Sequence, residues 1–408
     1  MKKINFYGKN LQLFNKIDTL CSGAPLDIYG KIKLNDIMNI GGPKMSKKST
    51  SPLGFGCMRL PQTAEGKIDY AAAQEMVDYA YAHGVNYFDT AWNYHNEESE
   101  IFIGQALKKY DRESFILTTK MPVFKLETPE QTAEVFAKQL EKCQVEYFDN
   151  YLCHSMNRDS WQKAKDFKVV EFLKEQKAQG KIKNLGFSFH DSADQLEGIL
   201  DYTDWDFVQL QLNYYDVATG DAQQLIDICN KRNLPIIVME PIRGGFLSRC
   251  VPAAIEKIDA AYGENKASAL ALSYVFNIPG VAVTLSGMSC LDHVVDNVYT
   301  AANPIPMDEK AEKVIEEVLA DIKAFKTVPC TKCAYCMPCP VGLDIPAIFS
   351  VYNDYKLFGN KFGFRRDFEK LEVKPSECIA CGNCMNACPQ RLEIPQLMQD
   401  IQAEFDNL

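Results

Sequence analysis

The sequence predicts an α/β protein: a closed (β/α)8 barrel of the TIM type, followed by a small α-rich module that binds metal. Three observations predict it. From Pro52 onward, short apolar runs alternate with amphipathic stretches of helical period. Eight such units fit within about 250 residues, the length of a closed barrel rather than of an open sheet. Beyond them, eight of the chain's fifteen cysteines fall in two runs, CTKCAYCMPCP from Cys330 and CIACGNCMNACPQ from Cys378.

The expected strands are, in order, PLGFGCM, VNYFDTA, FILTTKM, FDNYLCHS, KNLGFSF, FVQLQLN, PIIVMEP and VAVTLSG. Their nearly continuous apolar character suits a parallel sheet covered on its outer face. Between them run YAAAQEMVDYAYAHG, ESEIFIGQALKKY, PEQTAEVFAKQLEKC, WQKAKDFKVVEFLKEQKAQG, SADQLEGILDYT, DAQQLIDICNKRN and KASALALSYVFN, read as helices. Several end on Gly or Asn, the usual C-terminal cap residues, and His83 before Gly84 reads as part of such a cap. LDHVVDNVYTAA follows the last strand. MDEKAEKVIEEVLADIKAFK then forms a helix with acids early and lysines late, as its dipole favours. The first strand is followed by GFGCMRL, not by a full G-x-G-x-x-G, which disfavours an open dinucleotide-binding sheet.

Bulk properties narrow the function. The chain has 408 residues, 47% hydrophobic and 24% charged, enough for a full core. A net charge of -10 argues against nucleic acid and anionic membrane as partners. No run approaches the roughly 18 apolar residues of a membrane span. MKKINFYGKNLQLF lacks the apolar core of a signal peptide. A cytoplasmic location is expected, where clustered thiols are metal ligands rather than disulfides. Residues 1–48 hold nine lysines against three aspartates and a second candidate start at Met45; they read as a poorly ordered basic extension. The barrel is assigned to 49–326 and the cysteine module to 327–408.

In such a barrel, chemistry sits at the C-terminal ends of the strands. Those ends carry Asp89 and Tyr94 (strand two), Lys120 (strand three) and His154 (strand four). The types form a coherent device. An ammonium beside a phenol favours the phenolate, so Lys120 is expected to draw the Tyr94 pKa down from about 10. Asp89 holds Lys120 charged and in place. Tyr94 then gives a proton to a developing alkoxide, and His154 orients the same oxygen. A proton delivered to oxygen needs a hydride delivered to carbon, which is carbonyl reduction. Trp92, His190 and Arg243 are further residues near the mouth expected to face substrate, and Arg59 is expected as a partner for a substrate carboxylate.

This constellation resembles the aldo-keto reductase family over roughly Pro52 to Lys326, on the motifs GFGCMRLP, FDTAWNY, TTK, LCH, GFS and VQLQLN. The resemblance implies a catalytic tetrad of Asp89, Tyr94, Lys120 and His154. It implies a nicotinamide cofactor, NAD(H) or NADP(H), held by Ser188 and Gln209. Phe189 stands where the family has an Asn, and Met239 where it has a stacking aromatic residue. In the loop after strand eight, Ser286, Gly287, Met288 and Asn297 match cofactor positions, while His293 replaces an Arg. That loop, SGMSCLDHVVDN, has no Lys or Arg for an adenosine 2′-phosphate, which leans the expectation to NAD(H). The departures also leave room for a flavin, FMN, in the same pocket.

Each cysteine run supplies three thiols at two-residue spacing and a fourth followed by Pro. Triple C-x2-C-x2-C suits a [4Fe–4S] cubane better than zinc, which favours two separated pairs. The tail resembles two-cluster bacterial ferredoxins, in which the fourth Cys of each run serves the other cluster. This implies one cluster on Cys330, Cys333, Cys336 and Cys388, and a second on Cys378, Cys381, Cys384 and Cys339. The first run departs from the pattern, with two residues before its fourth Cys instead of three. The other seven cysteines read as small buried hydrophobes.

Clusters move single electrons, whereas hydride chemistry moves two. Three functions follow. One is a carbonyl-reducing enzyme acting on a small aldehyde or ketone, its clusters linked to the active site or to a redox partner protein. A second is a flavin-bridged electron-transfer enzyme in the same barrel. The third is a non-catalytic redox-sensing or electron-transfer protein, for which Tyr94→Phe would change nothing.

Overall fold

The computed structural model describes residues 50–408. The expected basic extension lies outside the described residues. Eight parallel strands close into a barrel in sequence order, the last pairing with the first. They are β1 (Leu53–Gly56), β2 (Tyr87–Asp89), β3 (Ile116–Met121), β4 (Phe148–Met156), β5 (Ile182–Phe189), β6 (Phe207–Gln211), β7 (Ile236–Met239) and β8 (Val281–Gly287).

Strand side chains alternate between the two faces of a sheet. Tyr87, Ile116, Leu152, Phe207, Ile237, Val283 and Leu285 form one buried cluster inside the barrel. Counting upward by twos from these residues gives Asp89, Lys120, His154, Gln209 and Met239, so the polar set rises from the same inner face. Gly54 and Gly186 make room for the large residues below: a Cβ on Gly54 would lie 2.7 Å from Leu285, and one on Gly186 2.6 Å from the Phe207 carbonyl oxygen.

The outer helices are α1 (Tyr70–Ala82), α2 (Ser99–Leu107), α3 (Gln131–Cys143), α4 (Arg158–Asp166), α5 (Val169–Ala178), α6 (Ala193–Leu200), α7 (Tyr214–Thr219), α8 (Ala222–Lys231), α9 (Pro252–Tyr262), α10 (Ala267–Phe276) and α11 (Leu291–Ala302). α12 (Glu309–Ala324) packs on α9. Two departures from the sequence expectation stand out. The long WQKAKDF helix is two helices, broken at Lys168, whose φ of 53° is left-handed. α9 was not expected at all: PAAIEKIDAAY buries only Ala254 and Ile258, too weak a stripe to read as amphipathic. His83 does cap α1, with Nδ1 at 2.8 Å from the Tyr79 carbonyl.

The chain then forms α13 (Ile345–Phe358), α14 (Lys361–Glu369), α15 (Asn383–Ala387) and α16 (Ile394–Asp406). They share a core of their own, including Leu343, Ile348, Phe349, Phe364, Phe368, Met398 and Ile401. This unit sits on the C-terminal mouth of the barrel. Buried Arg243 clamps it there: Nε donates to Asp216 at 2.8 Å, Nη1 to the Pro329 carbonyl at 3.0 Å and Nη2 to Gln390 at 2.9 Å. Arg59 donates to the Thr331 carbonyl at 2.9 Å, and Gln211 exchanges hydrogen bonds with Gln390. Gly244 has φ +63°, and a Cβ there would stand 2.3 Å from the Thr331 carbonyl oxygen. Gly244→Ala is therefore expected to combine left-handed strain of about 1 kcal/mol with a clash at this seat. Limited proteolysis should cut between barrel and module several-fold faster in the variant; an unchanged rate would mean that the seat yields easily.

Candidate active site

Asp89 ends β2, and the loop after it returns Tyr94 over the barrel. That loop contains three successive left-handed residues, His95, Asn96 and Glu97, with φ between 50° and 71°. His95 Nε2 accepts from the Leu60 N–H at 3.1 Å, tying this loop to the one after β1. The loop that carries Tyr94 is thus tied to its neighbour.

Lys120 is 1% exposed. Its ammonium has three donors, and each finds an acceptor: Asp89 Oδ1 at 2.6 Å, the Thr90 carbonyl at 2.7 Å and the Tyr94 hydroxyl at 3.3 Å. Burial pushes the Asp89 carboxyl up, and the Lys120 charge pulls it back. Behind the pair, buried Glu100 accepts from Thr119 at 2.6 Å and from Gln139 at 2.5 Å, and Gln139 also donates to the Lys120 carbonyl at 3.0 Å. This second layer fixes the β3 backbone that carries the lysine.

The Tyr94 phenol differs from the sequence expectation. Its pKa lies well above 10, raised by burial first and then by the Asp89 charge. Desolvation of the phenolate outweighs any help from the ammonium, because Asp89 neutralises that ammonium at 2.6 Å. Tyr94 therefore keeps its proton at neutral pH and is a donor, not a phenolate.

His154 is held well below 6.5 by burial, by Lys120 and by His190. Its imidazole is neutral and carries one N–H. Nδ1 is buried with no hydrogen-bond partner among the described residues. Placing the proton on Nε2 leaves only a bare nitrogen unpaired and aims the N–H into the mouth. His190 is lowered to about 4, by burial and then by Arg391. The unfolded chain takes up these protons near pH 6.5 and the folded chain does not. Stability is therefore expected to fall as pH drops from about 6.5 toward 4, and His190→Gln should flatten that decline in urea-unfolding midpoints. An identical decline in the variant would contradict the depressed His190.

The residues expected around a cofactor divide. Ser188 and Gln209 are register partners on β5 and β6, both nearly fully buried on the inner face. Ser188 Oγ accepts from the Ser155 N–H at 2.7 Å. Gln209 Oε1 is buried and unpaired among the described residues, an acceptor ready for an amide N–H. Met239 is half-buried at the end of β7. Ser286, however, alternates to the outer face, where its hydroxyl accepts from Asn297 of α11 at 2.8 Å, both residues buried. Met288 is fully buried in the main core. At this edge Gly287 offers exposed backbone instead, and the Arg59 side chain lies close against it.

The other mouth residues also need correction. Arg243 faces the cysteine module, not a substrate. Arg59 is paired with Glu240 at 3.2 Å. The Trp92 indole N–H donates to Glu97 at 2.8 Å, and Lys142 lies over its ring. His190 is half-buried beside His154.

In the module, the Cys333 and Cys336 thiols are pushed up to about 11 and about 12, by burial first and then by neighbouring groups that include Cys330 and Cys388. Those four sulfurs are neighbours. A cavity beside them is lined by Cys339, Cys378, Cys381 and Cys384, reached also by Cys336, with Leu343, Ile345, Ile394 and Met398 as its apolar wall. All described cysteines are free thiols. Among the described residues, no three His, Cys, Asp or Glu side chains close on a single-ion site. Four soft thiol donors in an apolar wall suit an iron–sulfur cluster. The two halves repeat: Cys339-Pro340 leads to Leu343-Asp344-Ile345-Pro346 and α13, and Cys388-Pro389 to Leu392-Glu393-Ile394-Pro395 and α16. That repeat is written in the sequence itself. Tyr335 was not among the residues expected at the site. It lies inside the first run, and its hydroxyl stands 3.0 Å from His154 Nε2.

Comparison with known proteins agrees with this architecture. Residues 52–320 match the model of the aldo/keto reductase family, and residues 329–392 match a 4Fe-4S dicluster domain. The chain is 28% identical over 205 residues to the NADH-specific methylglyoxal reductase of Escherichia coli, covering 45% of this chain and 60% of that protein. It is 27% identical over 205 residues to probable aldo-keto reductase 1 of Glycine max, covering 48% and 57% respectively. The matches thus span less than two thirds of either relative. The barrel also superposes on an aldo-keto reductase from Klebsiella pneumoniae in complex with NADPH, with a TM-score of 0.57 at 19% identity over 67% of this chain and 93% of that one. With a family match over well more than half its length, the chain belongs to the aldo/keto reductase family and carries a 4Fe-4S dicluster domain at its C-terminal end.

Proposed function

We propose that the barrel reduces the carbonyl of a small aldehyde or ketone to an alcohol with a nicotinamide cofactor, and that the eight tail cysteines hold two [4Fe–4S] clusters linked to that site. One observation carries the reading: a protonated phenol, Tyr94, and a neutral imidazole, His154, face one another above the buried Lys120–Asp89 pair. Two hydrogen-bond donors converging on one point are what a developing alkoxide needs.

Each residue then has a task. Tyr94 gives the proton to the carbonyl oxygen. Lys120 stabilises the phenolate that remains, with the proton gone and the charge no longer balanced by Asp89 alone. Asp89 keeps Lys120 ionised. His154 donates from Nε2 and orients the oxygen. When bound, the nicotinamide would supply the hydride that, with the Tyr94 proton, completes the two-electron reduction, and the clusters would exchange single electrons with a redox partner protein. Gln209 and Ser188 fit the carboxamide of such a cofactor, Gln209 through its unpaired acceptor. NADH is the preferred donor, because the loop after β8 has no Lys or Arg and Arg59 at its edge is already paired with Glu240. Cluster ligands are Cys330, Cys333, Cys336 and Cys388 for the first, and Cys339, Cys378, Cys381 and Cys384 for the second. The second site lies nearer the surface, with Cys381 exposed and Ile379 63% exposed beside it, which suits contact with a redox partner protein. Residues 49–326 and 327–408 are the two working units.

Methylglyoxal, the substrate in the name of the Escherichia coli relative, is the first aldehyde to test. Protein prepared without oxygen, with clusters intact, is expected to oxidise NADH on its addition, and NADPH more slowly. No aldehyde- or ketone-dependent oxidation of either cofactor across a panel of small carbonyls would overturn the reading.

A further inference from the structure

The first cysteine run ends in the carbonyl site. Tyr335 lies between Cys333 and Cys336. Its hydroxyl stands 3.0 Å from His154 Nε2 and lies near enough to the Tyr94 phenol to draw its pKa down against burial. Its ring meets the His154 ring edge-on, with centroids 6.0 Å apart, and Phe124 closes the far side at 6.4 Å. The Tyr94 and His154 pair proposed to meet a substrate oxygen therefore already has a hydroxyl of this chain beside it, at hydrogen-bond distance from His154. The loop bearing it is seated by the Arg59 bond to the Thr331 carbonyl and the Arg243 bond to the Pro329 carbonyl. Its position is built, not incidental.

We infer that Tyr335 is a built-in occupant of the substrate-oxygen site, so that a small carbonyl compound binds by displacing the tip of the first cysteine loop, and that this displacement is felt at the cluster on Cys333 and Cys336. This rests on the reading of Tyr94 and His154 as the carbonyl site. The coupling runs both ways. A ligand that moves the tip perturbs the cluster, and whatever changes the loop's seat changes the ligand's affinity by the same factor. A residue that must leave before substrate binds acts as a competitor: it raises KM without slowing the chemical step.

The test uses the full chain with its clusters, prepared without oxygen. Tyr335→Phe removes the hydroxyl and keeps the ring; Tyr335→Ala removes both. For the same small aldehyde with NADH, Tyr335→Phe is expected to lower KM about fivefold, the size of one net hydrogen bond, with kcat not reduced. Tyr335→Ala should lower KM further. Acetate, a small oxygen ligand, should alter the electron paramagnetic resonance spectrum of the reduced clusters in the unmodified protein and not in Tyr335→Ala. Tyr94→Phe is assayed in parallel. If it abolishes turnover while the Tyr335 variants keep the original KM, or lose kcat instead, the occupant role is overturned and the carbonyl site stands. If Tyr94→Phe retains full turnover, the carbonyl-site reading itself fails, and this inference with it. An acetate-insensitive cluster spectrum in the unmodified protein overturns the coupling.

Discussion

Tyr94→Phe is expected to lower aldehyde turnover by about a thousandfold, while leaving the fold, the clusters and nicotinamide binding in place. The size follows from what is removed. A positioned proton donor contributes about 10²–10⁴ in rate. The phenylalanine ring fills the same volume, and Lys120 keeps two of its three acceptors, Asp89 and the Thr90 carbonyl. The loss should therefore appear in kcat and not in cofactor affinity. It also separates the enzyme from a purely electron-carrying protein, in which a phenol hydroxyl above the barrel would be dispensable.

Lys120→Met is expected to act on stability as well as on turnover. The Lys120–Asp89 pair is almost wholly buried, with side chains 1% and 4% exposed. Removing one partner of a buried pair costs about 3–5 kcal/mol, because the other charge is left without compensation. Burial already pushes the Asp89 carboxyl up, so without the lysine it takes a proton instead of staying charged, which places the cost toward the lower end of that range. Replacing both residues, Asp89→Leu with Lys120→Met, leaves no buried charge and should recover much of the stability, but none of the activity. Urea unfolding of the two variants beside the unmodified protein measures this. A single Lys120→Met variant as stable as the original would mean that the pair contributes nothing net. Recovery of turnover in the double variant would remove both residues from the chemistry.

How far the sequence carried these conclusions varied with the range of the interaction. The eight strands were legible because a strand buried on both faces is a short continuous apolar run, and the helices between them supply the crossovers. The four polar residues of the mouth were legible because barrel chemistry collects at strand ends, and side-chain types there are few. Strand parity would have placed Ser286 outside: it lies between Leu285 and Gly287, one step out of phase with Val283 of the inner cluster. What the sequence withheld depends on how distant segments meet. Arg243 looked like a substrate ligand because nothing local tells that Pro329 and Gln390 will cover it. Tyr335 and His154 are 181 residues apart, and only the seating of the tail on the mouth brings them together. The Tyr94 pKa was misjudged for a related reason. The lysine was visible in the sequence, but the depth of burial that outweighs it was not.

Those same contacts place the cysteine module against the mouth of the barrel. Its first quartet leans on the mouth through Tyr335, Arg59 and Arg243, and its second lies toward solvent. On the function proposed above, the nicotinamide would supply a hydride inside the barrel, Tyr94 would supply the proton, and the cysteine module would hold its clusters beside that site.

The measurement that tests this most directly uses NADH carrying deuterium at the reactive ring carbon, added with the small aldehyde to protein prepared without oxygen. Direct hydride transfer places the deuterium on the carbinol carbon of the product alcohol, and mass spectrometry reads it. That is the predicted result. An alcohol formed at the same rate but without deuterium would mean that the electrons reached the substrate through the clusters and the hydrogen came from solvent, which would contradict the account at its centre.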